Sequence, residues 1–361
     1  MSLVTVKSIL IALFVSILGG SLFRLLHIPL PWMLGPLTGI MLYNLFFKQL
    51  KLVIYWPLSF RNAGLIILGY MMGISFTRDA AQQILKQLPS MLLATVIIII
   101  CSLILGFIIS RRTGINLPTS IIGSIPGGLT QMVVLCEEIN DADITAVTFI
   151  QTIRLLTVVF MVPFLSLHLL SDSPEQIVSL SILNINELAS AFSPGNILIF
   201  VFTVLIITWI SVRISLPTPY LVGPLIGAAV LVLSGLQAPP VPSLLIIIAQ
   251  LAVGAYMGIS MNIVSLKNWQ KLLPYSIGFG LGIVFISLAI GYLLTCYYPL
   301  KLITAFLSTA PGGMTEMGVT AVAAHADLSM VTAYQMFRVF FILFVVPPLL
   351  KWCLPKMDTT Y

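Results

Sequence analysis

The 361-residue chain is poor in charge. Only 8% of its residues are Asp, Glu, Lys or Arg, whereas 59% are hydrophobic, and the mean hydropathy is +1.11. A soluble core of this length cannot bury that much apolar surface, and the run 92–109 carries no charge on any helical face. The scarcity of charge therefore excludes a soluble globular protein and predicts an all-α polytopic membrane protein.

Metal ligands and reactive thiols are also scarce. The chain has three histidines and four cysteines. The cysteines have neither C-x-x-C nor zinc spacing, and the histidines are scattered. An oxygenase would need a metal or haem site, and the sequence offers no ligand cluster for one. We therefore predict no metal, no cofactor and no enzymatic activity.

The net charge of +6 does not indicate a nucleic-acid partner. The cations do not gather in one basic stripe but stand singly or in pairs at the ends of apolar runs. This distribution is typical of the positive-inside rule for membrane proteins. The predicted partners are the lipid bilayer and a small-molecule substrate, together with a homo-oligomeric association as a further possibility.

What the chain contains is an internal duplication. Pro126–Met132 reads PGGLTQM and Pro311–Met317 reads PGGMTEM, and each box leads to a Q-x-x-R pair. Two further stretches recur, because Pro29–Gly39 matches Pro217–Gly227 and Gly69–Ser75 matches Gly254–Ser260. We predict two membrane repeats, 1–170 and 196–361, joined by an extracytoplasmic linker, 171–195, in one integrated transmembrane unit.

Twelve apolar segments follow from the hydropathy pattern. They are 8–26, 30–47, 55–76, 88–110, 115–136 and 144–170 in the first half, and 196–213, 218–235, 242–261, 273–297, 301–324 and 328–350 in the second. If each Pro-Gly-Gly segment is a re-entrant hairpin, every repeat has five crossings and the second repeat is inverted. The prediction is therefore about ten transmembrane helices, with both termini inside.

The distribution of the 17 cations favours this inverted topology. It places ten cations inside, four outside and three within the membrane, whereas twelve full crossings with parallel repeats give eight against six. The inside set is Lys7, Lys48, Lys51, Arg111, Arg112, Arg213, Lys267, Lys271, Lys351 and Lys356; the outside set is Arg24, Arg78, Lys86 and Lys301; Arg61, Arg154 and Arg338 lie within membrane segments. Full crossing by broken helices, and glycines that serve only close helix packing, remain alternatives.

The duplicated boxes and arginines are the candidate substrate site. Broken backbone at membrane depth is tolerated where protein or a water-filled cavity satisfies it, and a buried arginine is costly unless it is used. The predicted substrate-binding residues are Pro126, Gly127, Gly128, Thr130, Gln131, Gln151 and Arg154, and Pro311, Gly312, Gly313, Thr315, Glu316, Gln335 and Arg338; the predicted supporting residues are Asn62, Gln250, Asp143 and Asp327.

The two copies differ where Gln131 in the first corresponds to Glu316 in the second. If the tips approach the Q-x-x-R helices, Glu316 would neutralise Arg338, while Arg154 would face only an amide and so attract an anion. Glu316 is alternatively a proton carrier. Asp143 and Asp327 precede the Q-x-x-R helices and are predicted to cap their first turns.

The two boxes with their Q-x-x-R helices resemble the AbrB-type integral membrane family, over essentially the full chain. That family is distinct from the DNA-binding regulators of the same name, and its members are often labelled ammonia monooxygenases or regulators of aidB expression. At fold level the layout also resembles ion-coupled carboxylate carriers with inverted repeats.

We therefore expect a multi-pass protein of the bacterial inner membrane. The expected function is secondary transport of a small anionic metabolite by alternating access, with H+ or Na+ as coupling ion. The alternative is a membrane-embedded regulator or partner protein without transport.

Overall fold

The computed structural model describes residues 3–46, 54–128, 132, 135–136, 139, 142–170, 194–261 and 269–357. Within these ranges the chain forms 13 α-helices and no strand. The helices are α1 Leu3–Leu25, α2 Pro31–Phe46, α3 Leu58–Gly73, α4 Arg78–Thr113, α5 Leu117–Ser124, α6 Ile144–His168, α7 Pro194–Arg213, α8 Pro219–Leu233, α9 Ser243–Ser260, α10 Trp269–Tyr297, α11 Leu302–Thr309, α12 Met314–Ala323 and α13 Leu328–Met357.

Ten of the predicted apolar segments coincide with one helix each, whereas 301–324 contains the two helices α11 and α12, and in 115–136 the helix α5 ends at Ser124. The largest difference is α4, which begins at Arg78 rather than at 88 and runs through Pro89. Residues 78–87 are rich in Ala, Gln, Leu and Lys, which favour helix, so that the helix extends beyond the apolar run. The predicted linker 171–195 lies outside the described residues, apart from the first two residues of α7.

Seven helices are long and apolar enough to cross a membrane, namely α1, α4, α6, α7, α9, α10 and α13. Large apolar side chains on α1 and α7 face outward, for example Phe14 at 68% and Leu198 at 71% exposure. Apolar surface of this kind is stable against lipid rather than water. The chain is therefore a multi-pass helical membrane protein, as predicted.

The helices form two compact units that do not coincide with the sequence halves. Unit 1 comprises Met1–Leu85, Leu167–Met261 and Gly318–Ser329. Unit 2 comprises Lys86–Ser166, Asn262–Met317 and Met330–Tyr361. Each unit thus takes helices from both halves of the chain.

Glycines bring helices of different halves together in unit 1. A Cβ atom on Gly69 of α3 would collide with the carbonyl of Leu221 in α8, and one on Gly254 of α9 would collide with the carbonyl of Met33 in α2. Gly69 corresponds to Gly254 in the duplication, and Met33 corresponds to Leu221. The same backbone contact is therefore made twice, each time between one helix of the first half and one of the second.

The connections that enter α2 and α8 are also alike. His27 and Leu30 have positive φ values of 52° and 50°, and Ser215 and Thr218 have values of 53° and 46°. Non-glycine residues rarely adopt this left-handed conformation. Its recurrence at matching positions shows that the two connections share one backbone path, after which Pro31 and Pro219 start their helices.

In unit 2 the short helices α5 and α11 pack closely against long ones. A Cβ atom on Gly106 of α4 would lie 2.8 Å from the Ser124 Oγ of α5, and one on Gly291 of α10 would lie 2.9 Å from the Phe306 nitrogen of α11. Both short helices have only eight residues. The residues at their carbonyl ends are buried in the protein, where water cannot donate hydrogen bonds to the carbonyls.

Candidate functional site

Each Pro-Gly-Gly sequence breaks a helix in unit 2. After α5, the Gly127 N–H donates to the carbonyl of Ile125 at 2.8 Å, and after α11 the Gly312 N–H donates to that of Ala310 at 2.9 Å. A hydrogen bond from residue i+2 back to residue i closes a γ-turn, here centred on Pro126 and Pro311. Proline fixes φ near the value that this turn needs and has no N–H to lose.

Helical hydrogen bonding restarts at the second glycine of each box. The Met132 N–H donates to the Gly128 carbonyl, and the Met317 N–H to the Gly313 carbonyl, both at 3.0 Å. Gly128 is exposed and Gly313 half-buried. The glycine tips are thus accessible, while both prolines beside them are buried. Two predicted site residues of the first box, Thr130 and Gln131, lie outside the described residues.

A glutamine caps the carbonyl end of each broken helix. Gln151 Nε2 donates to Ile122 O at 3.1 Å and to Ile125 O at 2.8 Å. Gln335 Nε2 donates to Leu307 O at 2.7 Å and to Ala310 O at 2.9 Å. The last four carbonyls of a helix have no intrahelical donor, and leaving one buried and unpaired costs about 1–3 kcal/mol. The glutamines therefore make the breaks tolerable inside the protein.

The arginines reach the same carbonyl ends, but with different numbers of partners. Arg154 Nη1 donates to Ile125 O at 2.8 Å. Arg338 Nη1 donates to Ala310 O at 2.7 Å, its Nη2 donates to Gly312 O at 2.8 Å, and Nη2 also donates to the side-chain oxygen of Gln335. A cation at a helix C-terminus is favoured by the helix dipole. Among the described residues, these bonds of Arg338 end on carbonyl and amide oxygens, so that its pairing with Glu316 stays a prediction.

Both guanidinium groups are buried. Arg154 and Arg338 are each 4% exposed, and the Nε atom of each has no hydrogen-bond partner in the described part of the chain. A buried cation is costly unless neighbouring groups match its charge.

The carboxylate of Glu316 lies at the start of α12. Glu316 is the third residue of this helix and is buried. A Cβ atom on Gly313 would collide with its Oε2 atom, so the carboxylate occupies the space over the glycine. Negative charge is favoured at a helix N-terminus. Thr315, also predicted as a site residue, is buried beside it in the same turn.

The two aspartates cap the Q-x-x-R helices, as predicted. Asp143 Oδ1 accepts the Thr145 N–H at 2.8 Å at the start of α6. Asp327 Oδ1 accepts the Ser329 N–H at 3.0 Å at the start of α13. Both are N-cap contacts, and they fix where each helix begins.

The supporting residues Asn62 and Gln250 belong to unit 1. The Oδ1 atom of Asn62 is buried without a hydrogen-bond partner among the described residues, and Gln250 is half-buried in α9. Next to Asn62, the guanidinium of Arg61 stacks over the ring of Tyr256 at 4.8 Å from its centroid. Gln151, Arg154, Gln335 and Arg338 belong to unit 2.

Sequence reasoning missed a buried polar pair in unit 2. The hydroxyl of Tyr334, the residue before Gln335, donates to Gln87 Oε1 at 2.9 Å. The duplication pairs these positions with Ile150 and Leu272, which belong to an apolar cluster. A search for repeated polar residues overlooks such a pair, because only one copy carries it.

The fold and the site define a multi-pass helical membrane protein with two broken helices. At the carbonyl end of each break, a glutamine and an arginine donate hydrogen bonds to the backbone. A family model described as the transition state regulatory protein AbrB matches residues 32–354. The chain therefore belongs to the AbrB family, as its boxes predicted.

Two relatives are similar over nearly their whole length. A protein of Escherichia coli strain K12, named AbrB with a provisional label as a regulator, is 25% identical over 332 residues, which are 91% of this chain and 92% of the relative. A protein of Bacillus subtilis strain 168 named YhjN, without an assigned function, is 25% identical over 349 residues, 92% of this chain and 90% of the relative. These names leave the activity open.

Proposed function

We propose that the protein is a secondary transporter of a small anionic metabolite. The observation that carries the proposal is the pair of broken helices, each with an accessible glycine tip and a buried guanidinium at its carbonyl end. A buried cation in a low-dielectric interior favours a bound anion. Exposed glycine backbone beside it lets a small ligand approach closely.

The transport cycle that we propose is alternating access between two inverted repeats in the bacterial inner membrane. On this reading the chain has about ten crossings, and the two Pro-Gly-Gly segments are re-entrant hairpins. The seven long helices, together with the shorter α2, α3 and α8, supply ten segments. Broken helices that meet at the midplane are common in secondary transporters, and H+ or Na+ is the expected coupling ion. The protein acts as a carrier and not as an enzyme.

Flux measurements test the proposal. The purified chain is reconstituted into liposomes and given labelled organic acids and amines under H+ or Na+ gradients. We expect gradient-driven uptake of an organic acid, and we expect Arg154→Gln to reduce it at least about tenfold, the value of one charge-assisted hydrogen bond. Arg213→Gln is the matched control, because this arginine stacks on Trp209 at the end of α7.

Two results would contradict the proposal. Absence of uptake under every gradient by a folded protein would argue against transport. Full uptake by Arg154→Gln would remove this arginine from the substrate site.

Single cysteines test the inverted topology. Gln82 near the start of α4 and Gln270 near the start of α10 are both exposed. In a background without native cysteines, Gln82→Cys should react with an impermeant reagent from outside and Gln270→Cys from inside. Labelling of both from the same side would rule out inverted repeats and favour parallel ones.

Regulation without transport is the alternative, and the family description and the E. coli label favour it. A regulator needs no flux. The liposome experiment therefore separates the two readings, because a regulator would retain its cellular effect in variants of Arg154 and show no uptake.

A further inference from the structure

We infer that one anionic phospholipid is held at the start of α3, with its headgroup on the guanidinium of Arg61 and its acyl chains along the exposed apolar side chains beside it. The inference is independent of transport. It names a lipid partner and a binding surface within unit 1, to which both Arg61 and its aromatic neighbour Tyr256 belong.

Arg61 and Tyr256 lie at the depth of a membrane surface. The helix α9 has 18 residues and is a candidate span, so that its length of about 27 Å nearly matches the hydrocarbon core of a bilayer. Tyr256 stands four residues before the end of α9 at Ser260, about 6 Å from that end. The Arg61 guanidinium stacks over the Tyr256 ring, 4.8 Å from its centroid, and is therefore held at the same depth. Cationic and aromatic side chains at this depth reach lipid headgroups.

Arg61 differs from the other arginines that are described as stacking on aromatic rings. Arg111 stacks over Phe107 and Arg213 over Trp209, in each case one turn earlier on the same helix, and both arginines are exposed in the last turn. Arg61 is half-buried and stacks across two helices, from α3 to α9. The fold therefore fixes its position, so that a ligand meets a group that is already oriented.

Helix packing does not require a cation at this place. In the register of the duplication, Arg61 corresponds to Ile246 and Tyr256 corresponds to Met71. The matching positions of the same two helices are thus apolar. A guanidinium within a membrane segment costs free energy that an aliphatic side chain does not. Arg61 therefore indicates a use other than packing.

The acidic residues that the structure describes in unit 1 lie at the opposite end of α3. Asp79 is six residues beyond the end of α3, at the start of α4. Asp327 accepts the N–H of Ser329, whose hydroxyl donates to Ser75 O, two residues beyond that end. Arg61 is about 18 Å along the helix axis from the same end, too far for an ion pair.

The stretches outside the described residues do not supply an acid at this end either. The stretch 47–53 precedes α3 and 262–268 follows α9, and both contain lysine but no acidic residue. The acidic linker precedes α7, which starts at the opposite end, because α7 runs antiparallel to α8 and Leu233 at the end of α8 accepts a hydrogen bond from Arg78. Within unit 1 the charge of Arg61 is therefore available to an anionic ligand.

The surroundings of Arg61 fit a phospholipid rather than a small ion. Leu58 is 55% exposed, Phe60 45% and Tyr55 50%, and apolar surface of this kind faces acyl chains in a membrane. Stacking covers one face of the guanidinium and leaves its N–H edges, which donate paired hydrogen bonds to phosphate oxygens. An anionic phospholipid supplies both the phosphate and the acyl chains, whereas the choline of a zwitterionic lipid brings a second cation.

Lipid binding to the full-length chain in detergent tests the inference by native mass spectrometry. The probes are phosphatidylglycerol and phosphatidylcholine with identical acyl chains. We expect one phosphatidylglycerol per chain, bound at least about tenfold more tightly than phosphatidylcholine. Arg61→Gln should weaken phosphatidylglycerol binding at least about tenfold, and Tyr256→Leu about two- to fivefold. Arg213→Gln is the matched control, an exposed arginine at a helix end, and should change binding less than about twofold.

Thermal unfolding verifies the fold of each variant and measures the same binding independently. Phosphatidylglycerol should raise the unfolding midpoint of the original chain and not that of Arg61→Gln. If Arg61→Gln does not fold, Arg61→Lys replaces it; this change keeps the charge, loses the paired donors and should weaken binding about three- to tenfold. The inference is overturned by equal binding of the two lipids, by unchanged phosphatidylglycerol binding in Arg61→Gln, or by an equal loss in Arg213→Gln. Displacement of the lipid by inorganic phosphate at the same concentration would assign the site to a free anion and would also overturn it.

Discussion

The two breaks of unit 2 share their construction and differ in how their arginines are held. In both, a γ-turn at proline ends the helix and a glutamine caps its last carbonyls. Among the described residues Arg154 donates to one carbonyl, whereas Arg338 donates to several carbonyls and to Gln335. The shared contacts are those that a broken helix requires in a low-dielectric interior. The difference at the arginines shows that the two copies, alike in their caps, differ in their described contacts.

The largest expected effect comes from the glutamines. Gln335→Leu leaves Leu307 O without its side-chain donor and removes the oxygen that accepts from Arg338, so we expect a loss of about 2–4 kcal/mol in stability. Gln151→Leu affects Ile122 O and should cost less, about 1–3 kcal/mol. Unfolding of the purified chains in detergent measures both. Equal losses would mean that the link between Gln335 and Arg338 contributes nothing.

We expect substitution of Arg338 to affect mainly stability and substitution of Arg154 to affect mainly uptake. Arg338→Met leaves Gly312 O without its donor and should cost about 1–3 kcal/mol. Arg154→Met should change stability by less than about 1 kcal/mol, because Ile125 O keeps the donors Gly127 N and Gln151 Nε2. We nevertheless expect Arg154→Met to abolish uptake in liposomes. A strongly destabilised Arg154→Met with normal uptake when folded would reverse the roles of the two arginines.

The helices could be predicted from the sequence, because long apolar runs are local signals. The approach of each box to its Q-x-x-R helix was only a condition for pairing Glu316 with Arg338, because the sequence does not show which distant segments meet. The capping role of Gln151 and Gln335 could not be predicted, since a sequence does not show which carbonyls lose their donors. The division of the chain into two units could not be predicted from the sequence either. It depends on contacts such as Gly69 with Leu221, between residues far apart in the chain.

Backbone conformation also limited the prediction. Leu30 and Thr218 adopt left-handed φ values without being glycine, asparagine or aspartate. Residue type therefore gave no warning of the sharp connections before α2 and α8. Only the comparison of the two copies in space shows that these connections are equivalent.

A smaller effect concerns Glu316 and Gly313. Gly313→Ala should displace the Glu316 carboxylate from the helix N-terminus, so that its cost depends on that side chain. In a double-mutant cycle with Glu316→Ala, we expect a coupling of about 0.5–1.5 kcal/mol, measured by unfolding in detergent. Additive losses from the two substitutions would show that the carboxylate does not lie over Gly313 in solution.

The smallest effect, and the test of equivalence, comes from the aspartate caps. Asp143 and Asp327 each accept one N–H at the second residue of a Q-x-x-R helix, at 2.8 and 3.0 Å. Since these two cap contacts are alike, loss of the cap in Asp143→Ala and in Asp327→Ala should cost about 0.5–2 kcal/mol each. Asp143→Asn and Asp327→Asn are the controls, because asparagine also caps helices and should restore most of the loss. Unequal losses would show that the copies differ at their helix starts as well as at their arginines, and the asymmetry could then not be assigned to the guanidinium partners alone.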